Sequence, residues 1–153
     1  MTEVVDRILA CVWRPRKRAV EWQAWIMEAA ERLRNFLVSQ PAGLHVYLLG
    51  PVVSPTAVDR MNAMLGALRG AGIDEEGVWR AYATVHTYTV GFAALQASRG
   101  HPAQGSGPSD PLIERLASCT TRDQFEVGLR YLIEGIERDV APTPAGEGSE
   151  TTA

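Results

Sequence analysis

The sequence predicts an all-α fold, an antiparallel bundle of about seven helices. Apolar residues recur at i, i+3, i+4 and i+7 along almost the whole chain, the period that places them on one face of a helix. Prolines and glycines stand between these stretches, where they start or stop helices. The one short apolar run that could form a strand, Leu44 to Leu49, has no second run to pair with, and a lone strand is not stable.

Each element follows from local signals. Val5, Ile8, Leu9 and Val12 mark a first helix that ends before Pro15, because proline breaks a helix interior. Trp22, Trp25, Ile26, Ala29, Leu33, Phe36 and Leu37 mark a second, amphipathic helix. Its outer face is expected to carry Glu21, Glu28, Glu31, Arg32 and Arg34, and Pro41 and Gly43 are expected to stop it. The Leu44 to Leu49 run is then a short helix. Ser54-Pro55 reads as a helix start, with serine as N-cap and proline in the first turn. Val58, Met61, Leu65 and Leu68 form the expected buried stripe, and Gly70 and Gly72 close that helix.

Asp74-Glu75-Glu76 puts acids at the positive end of the next helix, expected from about Glu75 to Arg99. Its apolar residues form two sets, Trp79, Tyr82, His86, Val90 and Ala93, and Val85, Tyr88, Phe92 and Leu95. A helix apolar on several sides needs cover on several sides. Residues 99–110 are rich in glycine and proline and read as a loop. Asp110-Pro111 opens a short helix to Ser118. Thr121 and Gln124 fit a capping box, ahead of a last helix whose apolar face carries Phe125, Leu129, Leu132, Ile133 and Ile136. The composition from Pro142 onward predicts a disordered tail.

Composition narrows the function classes. A chain of 153 residues with 46% apolar and 22% charged residues suits one globular domain with a real core. No apolar stretch approaches the roughly 20 residues of a membrane helix, and no apolar signal region follows Met1-Thr2-Glu3. The expected setting is cytoplasmic. Net charge is −3, which argues against a dedicated nucleic-acid binder. The basic cluster Arg14 to Arg18 contains Pro15 and reads as a solvated turn. Cys11 and Cys119 show no metal-ligand spacing and are expected to be reduced, partly buried thiols. The sequence has no nucleophile elbow, no H-E-x-x-H, no phosphate-binding loop and no dinucleotide fingerprint. Neither an enzyme, a cofactor nor a metal is expected.

The run Gly70-Ala71-Gly72-Ile73-Asp74-Glu75-Glu76 leads into Tyr88-Thr89-Val90-Gly91-Phe92, and later come Phe125-Glu126-Val127-Gly128-Leu129 and Ile133-Glu134-Gly135. In order and spacing this resembles the C-terminal domain of TetR/AcrR-type regulators, in the tetracycline-repressor-like subgroup. The resemblance implies a linking helix over residues 1–13, an effector-binding and dimerisation domain over 14–140, and a tail over 141–153. It implies a homodimer, a small hydrophobic or aromatic effector, and no membrane. It also implies that DNA is bound only through an N-terminal helix-turn-helix, which the chain is expected to lack.

Candidate pocket residues come from the three long helices that enclose the effector in that family. They are Trp22, Trp25 and Ile26; Met61, Met64, Leu65 and Leu68; and Trp79, Tyr82 and His86. Large apolar and aromatic side chains with a few polar atoms suit a ligand cavity, and they equally suit ordinary core packing. His86 fits either an effector contact or a neutral core histidine. Candidate interface residues are Tyr88, Gly91, Phe92 and Leu95 on one helix, and Phe125, Gly128, Leu129, Leu132, Ile133 and Ile136 on the last. Gly91 and Gly128 each weaken a helix by about 1 kcal/mol relative to alanine, which close helix approach explains. Three functions suit the pattern: the sensor half of a repressor, a headless relative that pairs with intact regulators, and a scavenger of small hydrophobic molecules.

Overall fold

The computed structural model describes residues 21–49, 54–99 and 111–140. Among them are six helices and no strand. They are α1 (Trp22–Ser39), α2 (Pro41–Leu49), α3 (Pro55–Gly70), α4 (Glu75–Arg99), α5 (Pro111–Ser118) and α6 (Arg122–Val140). The helix expected over residues 5–12, the basic turn, Cys11, the 100–110 loop and the tail lie outside the described residues.

Helix α4 is the hub. It packs against α1, α2, α3 and α6, while α6 also lies on α1. Its buried residues Val78, Ala81, Val85, Thr89, Phe92 and Ala93 explain its many-sided pattern. Two apolar clusters result. The larger joins α1, α3, α4 and α6 around Ile26, Leu68, Val78, Phe125 and Leu129. The smaller joins α1, α2, α3 and α4 around Leu33, Leu37, Leu44, Ala57 and Ala93. Leu37 and Leu68 are wholly buried, which for one such side chain stabilises the fold by about 1.5–3 kcal/mol.

The expected caps form. Ser54 Oγ accepts a hydrogen bond from the Ala57 N–H at 3.2 Å, and Thr121 Oγ1 accepts from the Gln124 N–H at 3.3 Å. Past the end of α3, Gly72 takes φ +84°, a left-handed conformation that favours glycine.

Four local expectations are corrected. Arg34 is not on the outer face of α1 but only 4% exposed. It lies eight residues after Ile26 on the Ile26–Ala30 line, which points inward. Its Nε–H donates to Gln96 Oε1 at 2.9 Å, its Nη1 donates to Asn35 Oδ1 at 2.8 Å, and its guanidinium sits 5.3 Å from the centre of the Phe125 ring. Val58 faces outward rather than joining the α3 stripe. The stripe runs through Ala57, Met64, Leu65 and Leu68; Val58 is only about 20° from Leu65 by spacing but lies two turns earlier, in the first turn of α3, so spacing alone does not bury it. Helix α1 stops at Ser39, just before Pro41, but Gly43 takes no part in the stop: Pro41 opens α2 and Gly43 is buried within it, where a Cβ would stand 3.1 Å from Phe36 Cζ. Cys119 is exposed, because it lies in the turn between α5 and α6.

Helix α5 is the outlier. Leu112, Ile113 and Leu116 are all exposed, although they sit at helical spacing on one side of it. The Arg99 Nη1–H reaches the Leu116 carbonyl at 2.9 Å.

Candidate functional site

A small cavity lies where α1, α3 and α4 meet. Trp25, Ala29, Ala30 and Leu33 line it from α1, Arg60 and Met64 from α3, and Tyr82, Val85, His86 and Thr89 from α4. The α4 residues reach it because positions 82, 85, 86 and 89 share one helical face. Its volume is about 10 Å³, enough for one water. Pockets for drug-sized ligands measure roughly 300–1,000 Å³, so the cavity as it stands is closed to a molecule of that size.

The wall has a defined chemistry. The Tyr82 and His86 rings stack at 5.4 Å between centroids, inclined by 15°, as an i, i+4 pair on α4 can. Tyr47 of α2 approaches His86 from another side, at 6.0 Å. Burial, with the nearby Arg60 charge acting in the same direction, holds the His86 imidazole far below its usual range, at about 4. The ring is therefore neutral at physiological pH. Burial also raises the Tyr82 phenol. Thr89 spends its hydroxyl proton on the Val85 carbonyl at 2.7 Å.

Arg60 is the charged group of the cavity wall. One Nη donates to Tyr47 Oη at 2.9 Å. Its Nε is buried and has no hydrogen-bond partner among the described residues. A buried donor left unmatched costs about 1–3 kcal/mol.

The structure spreads the sequence-derived pocket candidates over several environments. Trp25, Met64, Tyr82 and His86 line the cavity. Ile26, Leu65 and Leu68 are buried in the larger apolar cluster, with Trp22 and Met61 packed against it. Trp79 lies on the surface at 45% exposure, its indole N–H on Glu75 Oε1 at 3.1 Å. Sequence reasoning missed Arg60, Thr89 and Tyr47. For Arg60 a signal existed: it stands four residues before Met64, on the border of the α3 stripe.

The interface candidates also divide. Phe125, Leu129, Ile133 and Phe92 are buried within the chain. Tyr88, half-buried, stacks on Phe125 with centroids 5.4 Å apart, and Ile136 packs against the same cluster. Gly128 lies directly under Tyr88. Gly91 faces open space and Leu95 is 51% exposed. Toward the start of α4, Arg80, Thr84, Tyr131, Leu132 and Ile136 line a half-open groove of about 450 Å³ between α4 and α6.

Among the described residues no three His, Cys, Asp or Glu side chains are grouped to hold a metal, and no helix is long and apolar enough to cross a membrane.

Residues 14–140 match the family described as "Tetracyclin repressor-like, C-terminal domain". The chain belongs to that family. The motif resemblance and the all-helical architecture of this tetracycline-repressor-like domain agree. A curated relative is the HTH-type transcriptional repressor DrrR1 of Streptomyces coeruleorubidus, 24% identical over 167 aligned residues. The alignment covers 91% of this chain and 62% of that protein, so the chain spans less than two thirds of its relative's length. No solved structure matches.

Proposed function

We propose that this tetracycline-repressor-like domain is the effector-sensing and dimerisation unit of a transcriptional repressor, formed by residues 14–140, with residues 1–13 as the helix that links it to a DNA reader. The effector is a small apolar or aromatic molecule. The observation that carries this reading is the cavity between α1, α3 and α4, with its wall of Trp25, Tyr82 and His86. Arg60, whose side chain also lines this cavity, carries a buried nitrogen that is not matched within the packed core.

Entry of a ligand must part α1 and α3 from α4, because the cavity is closed. Helix α4 also carries the Gly91 and Leu95 surface, so such a shift is transmitted to any copy paired there. That links occupancy to the geometry of a dimer, and through it to release of DNA in a full regulator. The pairing surface is the outer side of α4 and α6, around Gly91, Leu95 and Tyr131. A twofold dimer would set this same patch against itself.

Two measurements test the reading. Light scattering on the purified chain is expected to give twice the 16.7 kDa chain mass; a strict monomer at high concentration removes the dimer. A thermal-shift screen with hydrophobic aromatic compounds is expected to find ligands that raise the melting temperature, since a ligand that binds only the native state stabilises it. If no compound does so near its solubility limit, the sensing role fails.

A further inference from the structure

Arg60 narrows the class of ligand, given the reading above that the cavity is a binding site. We propose that the cavity takes a planar aromatic molecule bearing an anionic oxygen, with the ring against Tyr82 and His86 and the oxygen on Arg60.

Three observations converge. The first is the buried Arg60 Nε, without a partner among the described residues. The other end of the same guanidinium is held by Tyr47, so the head group is positioned while its buried Nε–H stays unmatched. An oxyanion accepting from a guanidinium N–H makes a charge-assisted bond, stronger than a neutral one. The second is charge. Among the described residues no carboxylate lines the cavity, so Arg60 meets no opposite charge from them there. A cationic ligand would be repelled, whereas an anion would complete an ion pair shielded from solvent.

The third is shape. Tyr82 and His86 stack on each other with nearly parallel planes, inclined by 15°, and both line the cavity from α4. Trp25 lines the same cavity from α1. Flat rings stack on such side chains with centroids about 4.5–7 Å away. A neutral imidazole at His86 adds no second positive charge and can serve as donor or acceptor to a further polar atom of the ligand.

The test is isothermal titration of the full chain with 2-naphthoate and with 2-naphthamide, which share a ring system and differ in charge. At least tenfold tighter binding of 2-naphthoate is expected. Arg60→Met is expected to erase that preference, Arg60→Lys to keep part of it, and Met64→Trp to abolish binding of both by filling the cavity. Should Arg60→Met fail to fold, the wild-type comparison and Arg60→Lys still decide. Equal affinities for the two compounds in the wild type overturn the anion requirement and leave the cavity reading intact. If neither compound binds, or if Met64→Trp binds as the wild type does, the cavity itself is lost as a ligand site and this proposal falls with it.

Discussion

Tyr88 occupies the space that a side chain on Gly128 would need. A Cβ on Gly128 would stand 2.1 Å from Tyr88 Oη and 2.8 Å from its Cζ. The tyrosine lies across the backbone of α6, donates its hydroxyl proton to the Phe125 carbonyl at 3.2 Å, and stacks on the Phe125 ring. The glycine that weakens α6 as an isolated helix is what lets α4 and α6 meet at this point.

Gly128→Ala is therefore expected to destabilise the domain by about 1–3 kcal/mol, the usual cost of overpacking, less about 1 kcal/mol regained in helix propensity. Chemical denaturation measures the net loss. In a Tyr88→Ala background the same substitution is expected to be neutral or stabilising. A loss of equal size in both backgrounds would show that Tyr88 is not the obstacle.

The depressed His86 pKa gives stability a pH dependence. The unfolded chain takes up a proton near pH 6.5, and the folded chain refuses it until about pH 4. Stability from this group is complete above pH 6.5 and falls as pH drops toward 4. Allowing for partial solvent screening, the loss is on the order of 1–2 kcal/mol. Urea unfolding at pH 7.5 and 5.5 samples the upper part of that window before most carboxylates titrate. His86→Gln is expected to flatten the slope; an unchanged slope in the variant assigns it to other groups.

Arg34 and Gln96 are 62 residues apart in sequence and hydrogen-bonded between α1 and α4. Burial lowers the Arg34 pKa, with the nearby Arg122 charge acting in the same direction. Removing its partner leaves a buried donor unmatched. Gln96→Leu is expected to cost about 1–3 kcal/mol, and Arg34→Met with Gln96→Leu together less than the sum of the two singly. Strict additivity in a double-mutant cycle would falsify the coupling.

The α4–α6 surface offers a test of pairing that leaves the core untouched. Leu95 and Tyr131 are 51% and 63% exposed, so Leu95→Glu and Tyr131→Glu are expected to halve the mass in solution while shifting monomer stability by no more than about 0.5 kcal/mol. A dimer that persists in the double variant locates the contact elsewhere.

Much of the fold was legible in the chain. The limits of α4 follow from acids at its start and the Arg99-Gly100 stop, and the N-caps at Ser54 and Thr121 carry their own chemistry. Helical spacing was less informative about the cavity. Trp79, Tyr82 and His86 lie on one side of α4 by spacing, but His86 is about 10 Å further along the axis than Trp79, and spacing does not say where along an axis a cavity ends. Arg34 and Arg60 were the harder cases. An arginine reads as surface until its partner is known, and Gln96 and Tyr47 are partners brought close only by tertiary packing.

The closed cavity sets a dose threshold for any molecule that enters it. If the open form is a small fraction of the population, the apparent dissociation constant is the intrinsic one divided by that fraction. Residues that hold α1 against α4, such as Phe36 and Ala93 in the smaller cluster, then tune sensitivity without lining the cavity. A regulator built this way can be retuned to a scarcer or more abundant signal by loosening or tightening its core, with its chemical selectivity left in place.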